Sequence, residues 1–226
     1  MNKEIINFQS GHIATYKRSK ATDDILYFSH ANGFCGQVYK NLLNQINKDY
    51  EVITYDMRGH GDTNLVADHS KLKSWYTFRD DLAHLIQDHK KPVTLSGHSM
   101  GGTASLLLAL SNPKLVKKLI LIDPVILPLR YIISYKFLQL INLAHLASPL
   151  SKNALIRRNE WDNENEALNY FSGKSLFRNI NSEIITDYVK HCLKKNDNHQ
   201  YTLKCDPRWA VSYTHRRCRR NRTWGG

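Results

Sequence analysis

Cysteine is scarce in this 226-residue sequence, where Cys35, Cys192, Cys205 and Cys218 form neither a C-x-x-C pair nor a histidine-linked spacing. That pattern argues against a zinc site and against a disulfide framework, and it fits the reduced thiols of a cytoplasmic protein. The first residues, M-N-K-E-I-I-N-F, lack the apolar core of a secretory signal. A long apolar run is missing as well. The most apolar stretch, Leu119 to Leu150, is broken by Asp123, Pro124, Pro128, Arg130 and Lys136, whereas a spanning helix needs about 20 largely uninterrupted apolar residues. No membrane partner is expected. No internal repeat or low-complexity tract is present, and 42% hydrophobic residues suffice for one domain with a real core.

Acidic residues are the remaining shortage, 20 against 32 Lys and Arg, for a formal net charge of +12. A positive field of that size first suggests a polyanion partner. Its distribution argues otherwise. From Pro207 to Gly226 the chain has no acidic residue and no Lys, and its 6 Arg contribute half of the net charge. The rest of the excess is dispersed lysine, so a nucleic-acid partner is not expected. The tail W-A-V-S-Y-T-H-R-R-C-R-R-N-R-T-W-G-G has no apolar period of 2 or 3.6. We expect residues 210–226 to be out-of-frame or truncated coding sequence, non-native or disordered.

What the chain does have is alternation. Runs rich in Ile, Val, Tyr and Phe predict strands at Ile5 to Phe8, His12 to Tyr16, Ile25 to Ser29, Glu51 to Tyr55, Val93 to Ser96 and Lys118 to Ile122. Helical patterns lie between them at Gly36 to Ile46, Leu72 to Asp88 and Met100 to Leu110. This is an α/β pattern with a mainly parallel sheet, and in such sheets the loops at the carboxyl ends of the strands build the ligand site. From Leu129 to His199 only helical patterns occur, at Tyr131 to Ala147, Ser151 to Arg158, Glu164 to Phe171 and Ser182 to Lys194. The expected organisation is a core over residues 1–128, an inserted helical lid over 129–200, and a return segment over 201–209 with a strand at Tyr201 to Cys205.

The strongest chemical signal is Gly97-His98-Ser99-Met100-Gly101-Gly102, set between the strand ending at Ser96 and the helical run from Thr103. A G-x-S-x-G segment in a strand–turn–helix context is a nucleophile elbow, which thrusts Ser99 out at the top of the sheet. The helix beginning there offers the Met100 N–H to a developing oxyanion. A second donor is expected from His30-Ala31-Asn32-Gly33-Phe34, at Asn32. A third loop, Asp56-Met57-Arg58-Gly59-His60-Gly61-Asp62-Thr63, reads as an anchor beside the oxyanion loop, with His60 structural.

In this order and spacing the three motifs resemble the α/β-hydrolase fold family, with Ala31 standing where the family's oxyanion loop usually has glycine. The resemblance continues through Leu121-Ile122-Asp123-Pro124-Val125, more weakly through Arg157-Arg158-Asn159-Glu160-Trp161, and reaches Leu203 to Trp209. It implies a serine hydrolase acting on a small ester or acyl substrate, with protein side chains and water and no metal or organic cofactor. It also implies a triad in the chain order Ser, Asp or Glu, His. Ser99 takes the first place. Asp123 reads either as the acid or as a loop carboxylate before Pro124. Of the histidines beyond it, His145, His191, His199 and His215, none follows a strand, so none is read as the base. The C-terminal strands that carry the base in this family are expected to be missing, and the enzyme to be impaired or inactive. The alternative is a non-catalytic protein of this fold whose basic arm binds a polyanion.

Overall fold

The computed structural model describes residues 1–68, 71–72, 74–126 and 158–209. The expected helix Tyr131 to Ala147, nearly all of Ser151 to Arg158, and the basic tail from residue 210 lie outside the described residues. The body is a six-stranded sheet in the order β1-β2-β4-β3-β5-β6. Its strands are β1 (Asn2–Phe8), β2 (Gly11–Arg18), β3 (Ile25–Ser29), β4 (Glu51–Tyr55), β5 (Val93–His98) and β6 (Val116–Ile122). β1 and β2 form an antiparallel hairpin, β2 joins β4 antiparallel, and β4, β3, β5 and β6 run parallel. The mainly parallel α/β fold expected from the alternation is therefore observed.

Side chains alternate across a strand, so β3 serves two cores. Tyr27 faces a core formed with α2 (Tyr76–Ile86) and α3 (Met100–Ser111), where Phe78, Leu82, Ile86, Leu95, Ala104 and Leu108 are buried. Leu26 and Phe28 face the other way, against Val52 and Leu43 of α1 (Lys40–Ile46). Burying one such apolar side chain contributes about 1.5–3 kcal/mol. The predicted helix from Gly36 begins as a single 3-10 turn, Gly36–Tyr39, before α1. Among the described residues β6 is the last strand of the sheet, with Ile120 44% and Ile122 38% exposed.

The segment expected to be purely helical is not. Asn163 and Asn181 cap α4 (Glu164–Ser172) and α5 (Ser182–Cys192), accepting from the Glu166 and Glu183 backbone N–H groups. Short strands accompany these helices: β7 (Glu160–Trp161), β8 (Leu193–Lys195) and β9 (Tyr201–Leu203) form a second, antiparallel sheet in the order β7-β9-β8. The helix predicted to run to Lys194 stops at Cys192, because Leu193 pairs with Leu203 and Lys195 with Tyr201. Trp161, Phe171, Phe177 and Tyr188 form the centre of this unit and pack against Cys35 and Val38 of the body. After β9 the chain rejoins the main core. There Trp209 is buried, meets Phe78 edge-on and donates from Nε1 to the Arg58 carbonyl at 2.9 Å. Among the described residues no helix is long and apolar enough to cross a membrane.

Candidate active site

Ser99 stands between β5 and α3 with φ 53° and ψ −116°, a left-handed conformation that a residue with a Cβ adopts only at a cost of about 1–3 kcal/mol. Both of its backbone neighbours are fixed. Its N–H donates to the Ile122 carbonyl at 2.9 Å, and its carbonyl accepts from the Thr103 N–H at 3.0 Å. The side chain makes no capping bond into α3, although serine is a preferred cap. Met100, the first residue of α3, has a backbone N–H with no acceptor within the helix.

The turn is this tight because two glycines permit it. A Cβ on Gly97 would lie 2.5 Å from the Gly101 carbonyl carbon, and one on Gly101 would lie 2.2 Å from the Ser29 carbonyl oxygen. The second contact brings the two loops together. Ser29 ends β3 and pairs with Gly97, so the segment His30 to Gly36 leaves the sheet beside the elbow.

That segment is held by neutral histidines. His30 donates from Nδ1 to the Ala31 carbonyl (2.8 Å) and accepts the Met57 N–H at Nε2 (2.9 Å). His60 accepts the Gly33 N–H at Nε2 (3.0 Å) and donates from Nδ1 to the Arg58 carbonyl (3.0 Å). Asn32 is half-buried, with its side-chain amide 3.3 Å from His60 Nε2. Burial takes the pKa of His30 down to about 4, and burial together with nearby His30 takes His60 down to about 3. Burial also lowers His89, His98 and His191. Each of these groups binds its proton more readily in the unfolded chain, so stability is full above the unfolded value near 6.5 and falls as the pH drops below it. We expect urea midpoints to decline from pH 6.5 to 5, with His30 and His60 each contributing up to about 1.4 kcal/mol per pH unit; a flat profile over that range would contradict neutral, buried His30 and His60.

Asp56 ties the anchoring loop to the rest. Its carboxylate accepts from the Gly36 N–H (2.8 Å), the Asp62 N–H (2.8 Å) and the Tyr16 hydroxyl (2.8 Å). Asp62 is partly buried, which would raise its pKa, but Lys204 and Lys3 outweigh this and hold it at about 2. Arg58 forms a two-pronged pair with Asp81, Nε to Oδ2 at 2.9 Å and Nη2 to Oδ1 at 2.6 Å.

Asp123 follows β6 with φ 43° and is exposed. Its surroundings are fixed to the elbow: Ile122 pairs with His98, and Thr103 Oγ1 accepts the Val125 N–H at 3.0 Å. Asp123 also acts electrostatically on His98. Sequence reasoning missed Tyr39. Its hydroxyl accepts the Ala31 N–H (3.3 Å) and donates to His98 Nδ1 (2.7 Å), linking the His30 to Gly36 segment to the residue before Ser99. It also missed Tyr188 of α5, whose hydroxyl donates to the Gly33 carbonyl at 3.1 Å. A tyrosine that far away in sequence carries no local signal.

Among the described histidines none is hydrogen-bonded to Ser99: His30 and His60 use both ring nitrogens elsewhere, His98 Nδ1 is taken by Tyr39, and His89 Nε2 meets Tyr27. His145 and His215 lie outside the described residues. Among the described residues no group of three or more His, Cys, Asp or Glu could hold a metal ion.

Known proteins share both the sequence pattern and the fold. The chain is 37% identical over 87 residues to an sn-1-specific diacylglycerol lipase, ABHD11, of Danio rerio, 28% identical over 100 residues to (E)-2-((N-methylformamido)methylene)succinate hydrolase of Acinetobacter baylyi, and 32% identical over 119 residues to monoglyceride lipase of Rattus norvegicus. These matches cover 38%, 44% and 50% of this chain but 26%, 37% and 38% of the relatives. Among solved structures, E-2-(acetamidomethylene)succinate hydrolase and the thioesterase domain of the curacin biosynthetic pathway each superpose with a TM-score of 0.70 at 18% identity. Each covers 95% of this chain, which in turn covers 72% and 74% of theirs. The profile of the serine aminopeptidase S33 family matches residues 20–219, and with it the chain belongs to that family of α/β-hydrolases.

Proposed function

We propose that this chain is a serine hydrolase of small ester or acyl substrates, with Ser99 as the nucleophile. The observation that carries this reading is the backbone of Ser99, held at φ 53° directly before the first N–H of a helix. In the reaction Ser99 Oγ attacks the substrate carbonyl carbon, and the oxygen that becomes negative is met by the Met100 and Asn32 backbone N–H groups; one such donor is worth roughly 10²–10³ in rate. Collapse expels the alcohol, and water then releases the acid from Ser99. The two glyceride-lipase relatives favour an ester over an amide as substrate. Asp123 is the carboxylate nearest in sequence to the elbow's partner strand and takes the acid's place in the triad.

Turnover is proposed to be slow. A serine hydroxyl is a poor nucleophile until a base takes its proton, and no described imidazole is bonded to Ser99. What remains is oxyanion stabilisation and binding, roughly 10³–10⁴-fold over water. The test is hydrolysis of a p-nitrophenyl ester with and without added imidazole. A free base reaching Ser99 should raise the Ser99-dependent rate by roughly tenfold, a small part of the 10²–10⁴ that a positioned base supplies. Fast hydrolysis without imidazole, and no response to it, would contradict the missing base.

A further inference from the structure

We propose that Cys35 and Cys192 are a modification site, a dithiol that a hydroperoxide converts to a disulfide joining the oxyanion loop to helix α5. The two sulfurs lie 3.2 Å apart, although 157 residues separate them in sequence. Both cysteines are free and buried. A disulfide bond is about 2.05 Å long, so closure requires a relative movement of about 1 Å.

Contacts on both sides keep the sulfurs in register. Cys35 lies between Phe34, which meets Tyr188 edge-on at 5.2 Å, and Gly36, whose N–H donates to Asp56. Cys192 ends α5, and its carbonyl accepts the Lys204 N–H at 2.8 Å. Lys40 pairs with Asp187, and Tyr188 with the Gly33 carbonyl, across the same junction. Such contacts are what a disulfide needs beforehand, since much of its ordering is already in place.

The chemistry balances with one equivalent of hydroperoxide. The first thiol, as thiolate, attacks a peroxide oxygen, giving a sulfenic acid and the reduced alcohol or water. The second sulfur displaces water from the first, and the pair has given up two electrons and two protons. Burial raises the pKa of Cys192 and keeps it as the thiol, so oxidation is expected to be slow. This site goes beyond the hydrolase reading and does not depend on Ser99.

Incubation of the purified chain with hydrogen peroxide, followed by alkylation and tryptic digestion without reductant, tests it. The expected product links peptides 21–40 and 191–194, which carry Cys35 and Cys192, and dithiothreitol reverses it. In Cys205→Ser/Cys218→Ser chain, which keeps the pair alone, the intact mass should fall by about 2 Da. The proposal is overturned if both thiols of the oxidised protein remain fully alkylatable, if Cys35 or Cys192 links elsewhere, or if one is over-oxidised with no cross-link.

Discussion

Ser99→Ala is expected to remove the response of p-nitrophenyl ester hydrolysis to imidazole, leaving the residual rate that oxyanion stabilisation and binding give to attack by water, with little change in melting temperature. The side chain is half-buried and makes no capping bond, so its hydroxyl contributes nothing to the fold that alanine would lose. Alanine keeps the Cβ and therefore the backbone strain, which isolates the chemistry from the conformation. The size of the loss follows from the mechanism: without Oγ no covalent intermediate forms, and the oxyanion donors act only on attack by water. An imidazole response that persists in Ser99→Ala would move the reaction to another residue.

Gly101→Ala should have the largest effect on folding. Its Cβ would stand 2.2 Å from the Ser29 carbonyl oxygen, 2.4 Å from the Ser29 carbonyl carbon and 2.6 Å from the His30 carbonyl oxygen. All three are backbone atoms of the strand end and loop opposite, and none can rotate away. Alanine gains about 1 kcal/mol of helix propensity over glycine, but relieving an overpacked contact of this kind costs about 1–3 kcal/mol or more. With three backbone atoms involved the clash wins. A drop of about 4–8 °C in melting temperature is expected, together with loss of ester hydrolysis as α3 moves off β3. Gly173→Ala is the control, since its Cβ would meet nothing nearer than 3.7 Å. Equal melting temperatures for the two variants would show that the elbow tolerates separation.

Much of this site was legible in residue order. Ile25-Leu26-Tyr27-Phe28-Ser29 and Glu51-Val52-Ile53-Thr54-Tyr55 are apolar runs bounded by polar residues, and both form strands over those bounds. The elbow was legible because its glycines sit where strand and helix must touch. The second sheet was not: β7 has two residues and β8 three, too few for a period. The apolar spacing Ile185, Tyr188, Val189, Cys192 carries on into Leu193, and only pairing with Leu203 makes that residue extended. The contacts of Tyr39, Tyr188 and the Cys35–Cys192 pair are set by how α5 docks on the segment His30 to Gly36, which no local pattern records.

The central proposal is that Ser99 is the reactive serine and that no described histidine serves it as a positioned base. Exposure of the chain to a fluorophosphonate, followed by mass analysis of the tryptic peptides over time, tests both parts at once. The account predicts a single adduct on Ser99 that accumulates over hours and is accelerated by imidazole. An adduct on another residue would contradict the nucleophile, and complete labelling within seconds in the absence of imidazole would contradict the missing base.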